Sequence, residues 1–322
     1  MKVEAAAKSS VGQSAAFGLL AFGIFATHDA VIKYLGSTYS VFQIIFFSVL
    51  FAFLPVTLML TADRAHANLR PVHPWLVAMR TVTMMVGMAC AFYAFTVLPL
   101  AETYALLFAT PLLITALSVP LLGEVVRLRR WIAVIVGLTG VMIVLRPGYS
   151  ALSLGHLAAI GAATCSAFSA IVVRKIGAEE RSAVLILYPM LANMLAMSFI
   201  MPFVYQPVAL VDLGLLATVG VMATVAQLFI IAAYRRAAAV MVAPLQYSQM
   251  LWAVLYGFLF FQDIPDKWVG VGATVIIASG LFVLWREDRR GDPSQKPVLA
   301  NPNPRPDTGP SPRHIRRAEN RK

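Results

Sequence analysis

Charged residues are scarce in this chain of 322 residues, in which Asp, Glu, Lys and Arg together make up 13%. A soluble globular domain carries about 25%, so this composition, with 59% hydrophobic residues, excludes an ordinary soluble domain. The long apolar runs favour membrane-spanning helices over the alternating strands of an outer-membrane barrel. The sequence therefore predicts an all-α integral membrane protein, with the lipid bilayer as its first partner.

Cysteine is almost absent as well. Cys90 and Cys165 are the only two, and both fall in apolar segments, which argues against a disulfide framework or a zinc site. The chain has no P-loop G-x-x-x-x-G-K-[ST], no H-E-x-x-H and no G-x-S-x-G. The sequence therefore contains neither an ATP-binding motif that could drive transport nor a hydrolase motif. We therefore expect no enzymatic activity, no cofactor and no metal. An intramembrane enzyme is the alternative of a different class.

The net charge of +11 is unevenly distributed along the chain. Residues 286–322 hold 10 Lys or Arg against 5 Asp or Glu, and they are rich in Pro and Asn. This composition predicts a disordered basic cytoplasmic tail over residues 287–322. The other basic residues cluster in alternate loops, and the positive-inside bias then places both termini in the cytoplasm. The basic excess thus indicates membrane topology rather than a nucleic-acid partner.

Ten apolar segments each approach the roughly 20 residues that cross a bilayer. The short polar segment before them is expected to be a cytoplasmic N-terminus at residues 1–11, and the first helix is expected to stay uncleaved. The predicted helices cover residues 12–34, 41–61, 74–96, 100–121, 129–146, 153–175, 182–203, 211–233, 239–261 and 267–285.

The two halves of the chain carry a weak internal repeat. The segment Phe108–Glu124 aligns without a gap with Tyr247–Asp263, and Val31–Gly36 aligns with Val172–Gly177. The two offsets, 139 and 141 residues, nearly agree. With five helices in each half, the second copy enters the membrane from the opposite side. This is the inverted repeat that gives secondary transporters a central site and alternating access.

The run from Phe92 to Glu124, FYAFTVLPLAETYALLFATPLLITALSVPLLGE, and the RRWIAVIVGLTGVMIVLRPG that follows it resemble the first EamA-type repeat of the drug/metabolite transporter superfamily. The phrases YA…LPLA, ATPL, LLGE and W…G…G carry the likeness, which covers roughly residues 10–287. It implies two EamA-type repeats, at residues 12–148 and 149–286. It also implies a ten-helix basket in which helices one, three, four, six, eight and nine surround a cavity. Helices five and ten are then peripheral, and a homodimer can form.

The opening HDAVIKYLG…VFQIIFF is similar to the subset that includes bacterial riboflavin and S-adenosylmethionine uptake proteins. Relatives in that subset often carry Arg shortly after the aromatic pair of helix two, where this chain has Ser48. We therefore predict a secondary transporter in the cell inner membrane that moves a small organic metabolite by alternating access. Riboflavin is the first expected substrate. S-adenosylmethionine, amino acids and other metabolites, taken up or exported, remain open.

Five ionisable residues are candidates for a gate or for coupling, because charged groups in hydrocarbon usually face a cavity or a partner. Asp29 and Lys33 are four residues apart, so we expect them to meet on one helix face, as a gate or as a static pair. His28 either titrates near neutral pH or is structural. Glu102 either interacts favourably with the N-terminal dipole of helix four or has a proton-linked role. Arg80 either snorkels to the interface or contacts an anionic substrate group.

A set of aromatic and amide residues is the candidate substrate site. Gln249, Trp252 and Tyr256 follow an i, i+3, i+7 spacing and therefore share one helix face. Together with aromatic residues of helices three and four, they would stack a planar heteroaromatic substrate, and amides would orient it. Ordinary packing is the alternative for each aromatic taken alone. The full set is Tyr93, Tyr104, Phe108, Gln227, Gln249, Trp252 and Tyr256, with Asn193 and Gln246 as further amides.

Three prolines, Pro111, Pro189 and Pro244, fall inside predicted helices. Each removes a backbone N–H and is expected to kink its helix. Kinks near the membrane midplane suit gating, although a structural role is the default for a proline in a membrane helix. Glu124 and Asp263 occupy equivalent helix ends in the two halves, where we expect structural termini or gate elements.

Overall fold

The computed structural model of the chain describes residues 2–61, 69–123, 128–147, 152–177, 179–236 and 239–288. Every element in these ranges is a helix. In chain order they are α1 (Lys2–Leu35), α2 (Val41–Thr61), α3 (Pro74–Val97), α4 (Leu100–Leu107), α5 (Thr110–Leu122), α6 (Leu128–Leu145), α7 (Leu154–Ile176), α8 (Ser182–Val204), α9 (Leu210–Arg236), α10 (Ala239–Val242), a 3-10 segment (Ala243–Tyr247), α11 (Ser248–Phe261) and α12 (Lys267–Asp288).

Six stretches are long and apolar enough to cross a membrane, among them Leu100–Leu122, which comprises α4 and α5. Three shorter apolar helices, α2, α6 and α12, and the stretch from α10 through α11 bring the helical passes to ten within the described ranges. The predicted all-α fold with ten helices is therefore confirmed. Glu287 and Asp288, the first two residues of the tail predicted over 287–322, belong to α12. The rest of that tail and the predicted end residue Glu124 lie outside the described residues.

The first helix starts earlier than its predicted start at residue 12. Helix α1 begins at Lys2 and runs without interruption to Leu35. The segment before the apolar run contains AAA, and alanine has the highest intrinsic helix propensity, so the helix extends beyond the part that is apolar enough to span, Gly12–Leu35. The polar segment 1–11 is consequently an extension of α1 from Lys2 onward rather than a separate element.

A proline divides the fourth predicted helix into α4 and α5. Pro111 has no N–H to donate to the carbonyl oxygen of Leu107, and α4 ends at that residue. The hydroxyl of Thr110 donates to the same oxygen instead, at 2.7 Å. The segment predicted over 100–121 is therefore present as the span Leu100–Leu122, and it is interrupted next to Pro111, where a kink was expected.

A second break lies at the matching position of the other half. Pro244 falls in the 3-10 segment that precedes α11, and the aligned residues Phe108 and Tyr247 each sit at the end of a broken stretch. Their rings meet edge to face with centroids 5.1 Å apart. The two breaks therefore face each other inside the bundle.

The helices of one half pack on those of the other. Helix α1 lies along α9, α3 along α7, α2 along α8, and α6 along α12. If each helix is replaced by its counterpart in the other half, the α1–α9 pair becomes the α7–α3 pair. The α6–α12 pair then remains the same pair. The apolar core that results from this packing includes the fully buried side chains of Ile44, Leu106 and Ile276.

The closest backbone approach between α6 and α12 depends on two glycines. A Cβ atom added to Gly140 would lie 2.9 Å from the carbonyl oxygen of Gly272, and one added to Gly272 would lie 2.6 Å from the carbonyl oxygen of Gly140. Backbone atoms cannot move aside as a flexible side chain can. Small residues at such crossings let membrane helices come close enough to gain dispersion energy.

We predict that Gly140→Ala and Gly272→Ala each destabilise the protein by about 1–3 kcal/mol, the usual cost of overpacking. The matched control is Gly270→Ala on α12, because nothing lies within 4 Å of a Cβ added there. That control should be neutral or gain about 0.5–1 kcal/mol from helix propensity. Unfolding of the purified variants in detergent measures the difference, and equal effects at Gly270 and Gly272 would contradict the close approach.

Candidate functional site

A cavity of about 1120 Å³, a volume that includes its opening, lies between the two halves near the helix breaks. Residues of α1, α2, α3, α4, α5, α7, α8, α9, the 3-10 segment and α11 line it, and α6 and α12 contribute no lining residue among those described. The peripheral position of α6 and α12 agrees with what the resemblance implied. Helices α2 and α8 line the cavity in addition to the six helices expected.

Asp29 forms the polar centre of one wall. Its side chain is buried, with the residue 1% exposed. The hydroxyl of Tyr104 donates to Oδ2 of Asp29, and Nδ1 of His28 lies 2.8 Å from Oδ1. Both carboxylate oxygens therefore accept hydrogen bonds, which offsets the cost of burying this group in an apolar bundle. The His28 ring is in turn held edge-on against Phe25 and Phe92.

Lys33 has partners other than Asp29. Its ammonium group lies 3.2 Å from the carboxylate of Asp263 and donates to the carbonyl oxygen of Leu98 at 2.7 Å. It also lies 5.2 Å from the centroid of the Phe261 ring, within cation–π range. The expected meeting of Asp29 and Lys33 is thus replaced by tertiary contacts. Lys33 joins the end of α1 to the residues that follow α11, outside the cavity lining.

Further polar contacts join the two halves at the same end of the bundle. Arg146, after α6, lies 2.6 Å from the carboxylate of Asp266, which precedes α12. The hydroxyl of Tyr39 donates to Asp212 at 2.7 Å. Tyr39 lies in the loop after α1, and this hydrogen bond, with burial, raises the pKa of its phenol. Together with the Lys33–Asp263 pair, these contacts join the two halves at the end where α1 stops.

Glu102 is held in place by a histidine of the other half. It lies in the first turn of α4, where a carboxylate interacts favourably with the helix dipole, and its Oε1 is 2.8 Å from Nε2 of His156. The backbone N–H of Ser153 donates to Nδ1 of the same ring at 3.0 Å, so the ring proton is on Nε2 and is donated to Glu102. Glu102 does not line the cavity.

Arg80 compensates for a proline in a neighbouring helix. Pro189 of α8 has no N–H, so the carbonyl oxygen of Leu185, one turn earlier, lacks its usual helical donor. Nη1 of Arg80 donates to that oxygen at 3.0 Å and also contacts the sulfur of Met84. Arg80 is only 6% exposed. It therefore neither snorkels to the interface nor lines the cavity, and its observed contacts are structural.

Aromatic side chains form a second wall of the cavity. The rings of Phe95 and Tyr104 have centroids 5.4 Å apart, and those of Tyr104 and Phe108 are 5.9 Å apart. Phe92 completes the lining on α3. Phe92 and Phe95 were not among the predicted site residues. Phe92 opens the family-like run in the sequence, but neither phenylalanine carries a signal that separates it from ordinary core residues.

Four of the predicted substrate residues lie outside the lining. Trp252 and Tyr256 stack on each other at 5.7 Å and pack against α1, where the hydroxyl groups of Tyr256 and Thr27 are 2.9 Å apart. Tyr93 and Gln227 do not line the cavity either. The structure thus brings Tyr104, Phe108 and Gln249 together with His28 and Asp29, and separates the remaining predicted residues from them.

The polar remainder of the lining is neutral. Asn193, Gln246 and Gln249 contribute three buried amides. Ser48 also lines the cavity and donates its hydroxyl to the carbonyl oxygen of Ile44 at 2.6 Å. Within the described part of the chain, the lining contains no Lys or Arg.

Comparison with known proteins identifies two copies of one family profile in the chain. The profile described as the EamA-like transporter family matches residues 13–146 and again residues 153–285. A crystal structure that shares 16% sequence identity superposes with a TM-score of 0.58 over 87% of this chain and 98% of its own. That likeness concerns the fold alone.

Three curated relatives have names that describe transport. The chain is 25% identical over 272 residues to an S-adenosylmethionine uptake transporter of Rickettsia prowazekii, covering 84% of this chain and 92% of that protein. It is 26% identical to the pseudopaline exporter CntI of Pseudomonas aeruginosa, covering 81% and 92%. It is 28% identical to a riboflavin transporter of Rhizobium johnstonii, covering 70% and 74%.

We predict that Arg80 and Pro189 are coupled energetically. In the native sequence, Arg80→Met leaves the carbonyl oxygen of Leu185 without a donor, which costs about 1–3 kcal/mol. In a Pro189→Ala background the new N–H restores the helical hydrogen bond to Leu185. Arg80→Met should then lower the free energy of unfolding by at least about 1 kcal/mol less than it does in the native sequence. A double-mutant cycle on unfolding in detergent measures this difference, and strictly additive effects would contradict it.

Proposed function

The chain belongs to the EamA-like transporter family, and from this premise we propose that it is a secondary transporter of a small organic metabolite working by alternating access. The family places it among transporters rather than enzymes, and it is a multi-pass membrane protein. We place it in the cell inner membrane, as the bacterial relatives suggest. The observation that carries the proposal is an internal cavity that residues of both halves enclose.

We further propose that the two halves are inverted repeats with both termini in the cytoplasm. The exchange of the α1–α9 and α7–α3 pairs and the facing helix breaks support a two-fold relation between the halves. An odd number of helices in each half makes the second copy enter from the opposite side. The basic residues in alternate loops give the direction.

Riboflavin is the first candidate substrate. The lining combines a wall of aromatic rings with three amides, which suits a planar heteroaromatic molecule that stacks and is then oriented by hydrogen bonds. A cavity lined by no Lys or Arg, in the described part of the chain, suits a substrate without negative charge. The riboflavin transporter of Rhizobium johnstonii is a relative over most of the chain.

S-adenosylmethionine is the second candidate. Asp29 is the acid that lines the cavity, and a sulfonium or ammonium group would be attracted to it. The S-adenosylmethionine uptake transporter of Rickettsia prowazekii is similar over 84% of this chain. The hydrogen bonds that already occupy both oxygens of Asp29 weaken this candidate, because a cation would have to compete with them. Amino acids and other metabolites are further candidates. Because one of the relatives is an exporter, the direction of transport, uptake or export, stays open.

Asp29 is also our candidate for proton coupling. A carboxylate that lines the cavity and is bonded to His28 and Tyr104 can change its protonation when those bonds rearrange between states. Glu102 is the weaker candidate because His156 holds it away from the cavity.

We predict that proteoliposomes take up labelled riboflavin saturably and that riboflavin 5′-phosphate competes at least about tenfold more weakly, because burying its phosphate without a cationic partner is costly. Labelled S-adenosylmethionine and amino acids form the rest of the uptake panel. Saturable uptake of S-adenosylmethionine but not riboflavin would reverse the order of candidates. The absence of saturable flux for every member of the panel would contradict transport.

We predict that Asp29→Asn abolishes accumulation of riboflavin against its gradient and leaves exchange across the membrane intact, since the variant retains a hydrogen-bonding side chain that cannot ionise. Glu102→Gln is the matched control and should still accumulate substrate. The measurement is uptake with an imposed proton gradient and again after a protonophore has collapsed it. Identical flux under both conditions in the native protein would remove coupling and leave facilitated diffusion.

A further inference from the structure

The unused hydrogen-bonding capacity of the cavity lies mainly on neutral amides. Both oxygens of Asp29 already accept hydrogen bonds. The hydroxyls of Ser48 and Thr110 donate to carbonyl oxygens of the helices. What remains for a substrate is the hydroxyl of Ser166 and the amide groups of Asn193, Gln246 and Gln249.

Asn193, a lining residue, carries an unpaired acceptor. Its Nδ2 donates to the carbonyl oxygen of Pro189 at 3.1 Å, and because a carbonyl oxygen only accepts, this contact fixes the orientation of the amide. The opposite atom, Oδ1, has no hydrogen-bond partner in the described structure, although the residue is only 4% exposed.

Gln249 carries a second unpaired amide group. It lies in the first turn of α11, directly after the break in the helix, and it too is 4% exposed. Its Nε2 has no hydrogen-bond partner among the described residues. Buried polar atoms in native proteins are nearly always paired. Of the buried side-chain atoms without a partner among the described residues, these two belong to residues that line the cavity, where a ligand can pair them.

We propose that Asn193 and Gln249 are specificity-determining residues that recognise the hydrogen-bonding edge of a planar, neutral heteroaromatic substrate. Oδ1 of Asn193 accepts from a ring or exocyclic N–H. The Gln249 amide, whose orientation no hydrogen bond fixes among the described residues, turns Nε2 toward the substrate and donates to a carbonyl oxygen or ring nitrogen. Phe92, Phe95 and Phe108 supply the stacking surface. The assignment of this cavity as the substrate site rests on the proposed function. Isoalloxazine, pteridine and purine rings carry such an edge.

This arrangement discriminates strongly against analogues that lack the edge. A site with buried polar groups rejects such an analogue, because binding it leaves those groups unpaired in a dry pocket. A methyl group on the N–H of the edge both removes the donor and occupies the space beside Asn193. An aromatic pocket without the amides would accept the methylated ring nearly as well.

The test uses two matched pairs of probes on the full-length protein in nanodiscs: riboflavin with 3-methylriboflavin, and adenosine with N6,N6-dimethyladenosine. Quenching of flavin fluorescence and competition give the affinities. For a pair that binds, we expect the methylated member to bind about tenfold more weakly or worse. Asn193→Leu and Gln249→Leu should bring that ratio close to one. Gln227→Leu removes another buried amide, outside the lining, and should keep the ratio of the native protein.

Thermal unfolding of each variant separates loss of recognition from loss of fold. Equal affinity for methylated and unmethylated probes in the native protein would overturn the proposal, as would a ratio unchanged by both leucine variants. Failure of both pairs to bind, in a preparation that transports another metabolite, would overturn it and leave transport standing. Edge-dependent binding without saturable flux of any substrate would uphold it and remove the transport function.

Discussion

Every polar group inside this bundle must find its partner within the protein, since hydrocarbon offers none. The hydrogen bonds of the buried polar side chains follow from that constraint. Asp29 is satisfied by His28 and Tyr104. The carbonyl oxygens that two prolines leave without a helical donor are satisfied by Thr110 and Arg80. Some buried side-chain atoms of the described residues stay unpaired, and those of Asn193 and Gln249 belong to residues that line the cavity, where we propose that a substrate pairs them.

The same constraint explains how the two halves are joined. Arg80 of α3 bonds to α8, and His156 of α7 bonds to Glu102 of α4. Lys33 joins α1 to the end of α11. Each contact connects a polar group of one half to a group of the other. A motion that opens one end of the cavity must therefore exchange specific polar contacts, which gives discrete closed and open arrangements rather than continuous deformation.

The helices and the family were predictable from sequence because both depend on composition and local pattern. The apolar runs gave ten helices, and the EamA-type phrases gave a family that the profile match confirms. The site was predictable only in part. Tyr104, Phe108 and Gln249 do line a cavity, but helix periodicity placed Trp252 and Tyr256 on a shared face without saying which neighbour that face meets. Spacing likewise showed that Asp29 can reach Lys33, whereas their actual partners come from distant segments. Pairing across the bundle depends on tertiary packing, which a local pattern does not contain.

Alternating access to the central cavity is the central claim, and the accessibility of one lining position from each face of the membrane tests it most directly. Ser48 lies within α2 and lines the cavity, and Ser48→Cys can be introduced after Cys90 and Cys165 are replaced by alanine. A membrane-impermeant maleimide should label this cysteine in right-side-out and in inverted vesicles, and riboflavin should slow labelling from both sides. Labelling from a single face under every condition would contradict alternating access.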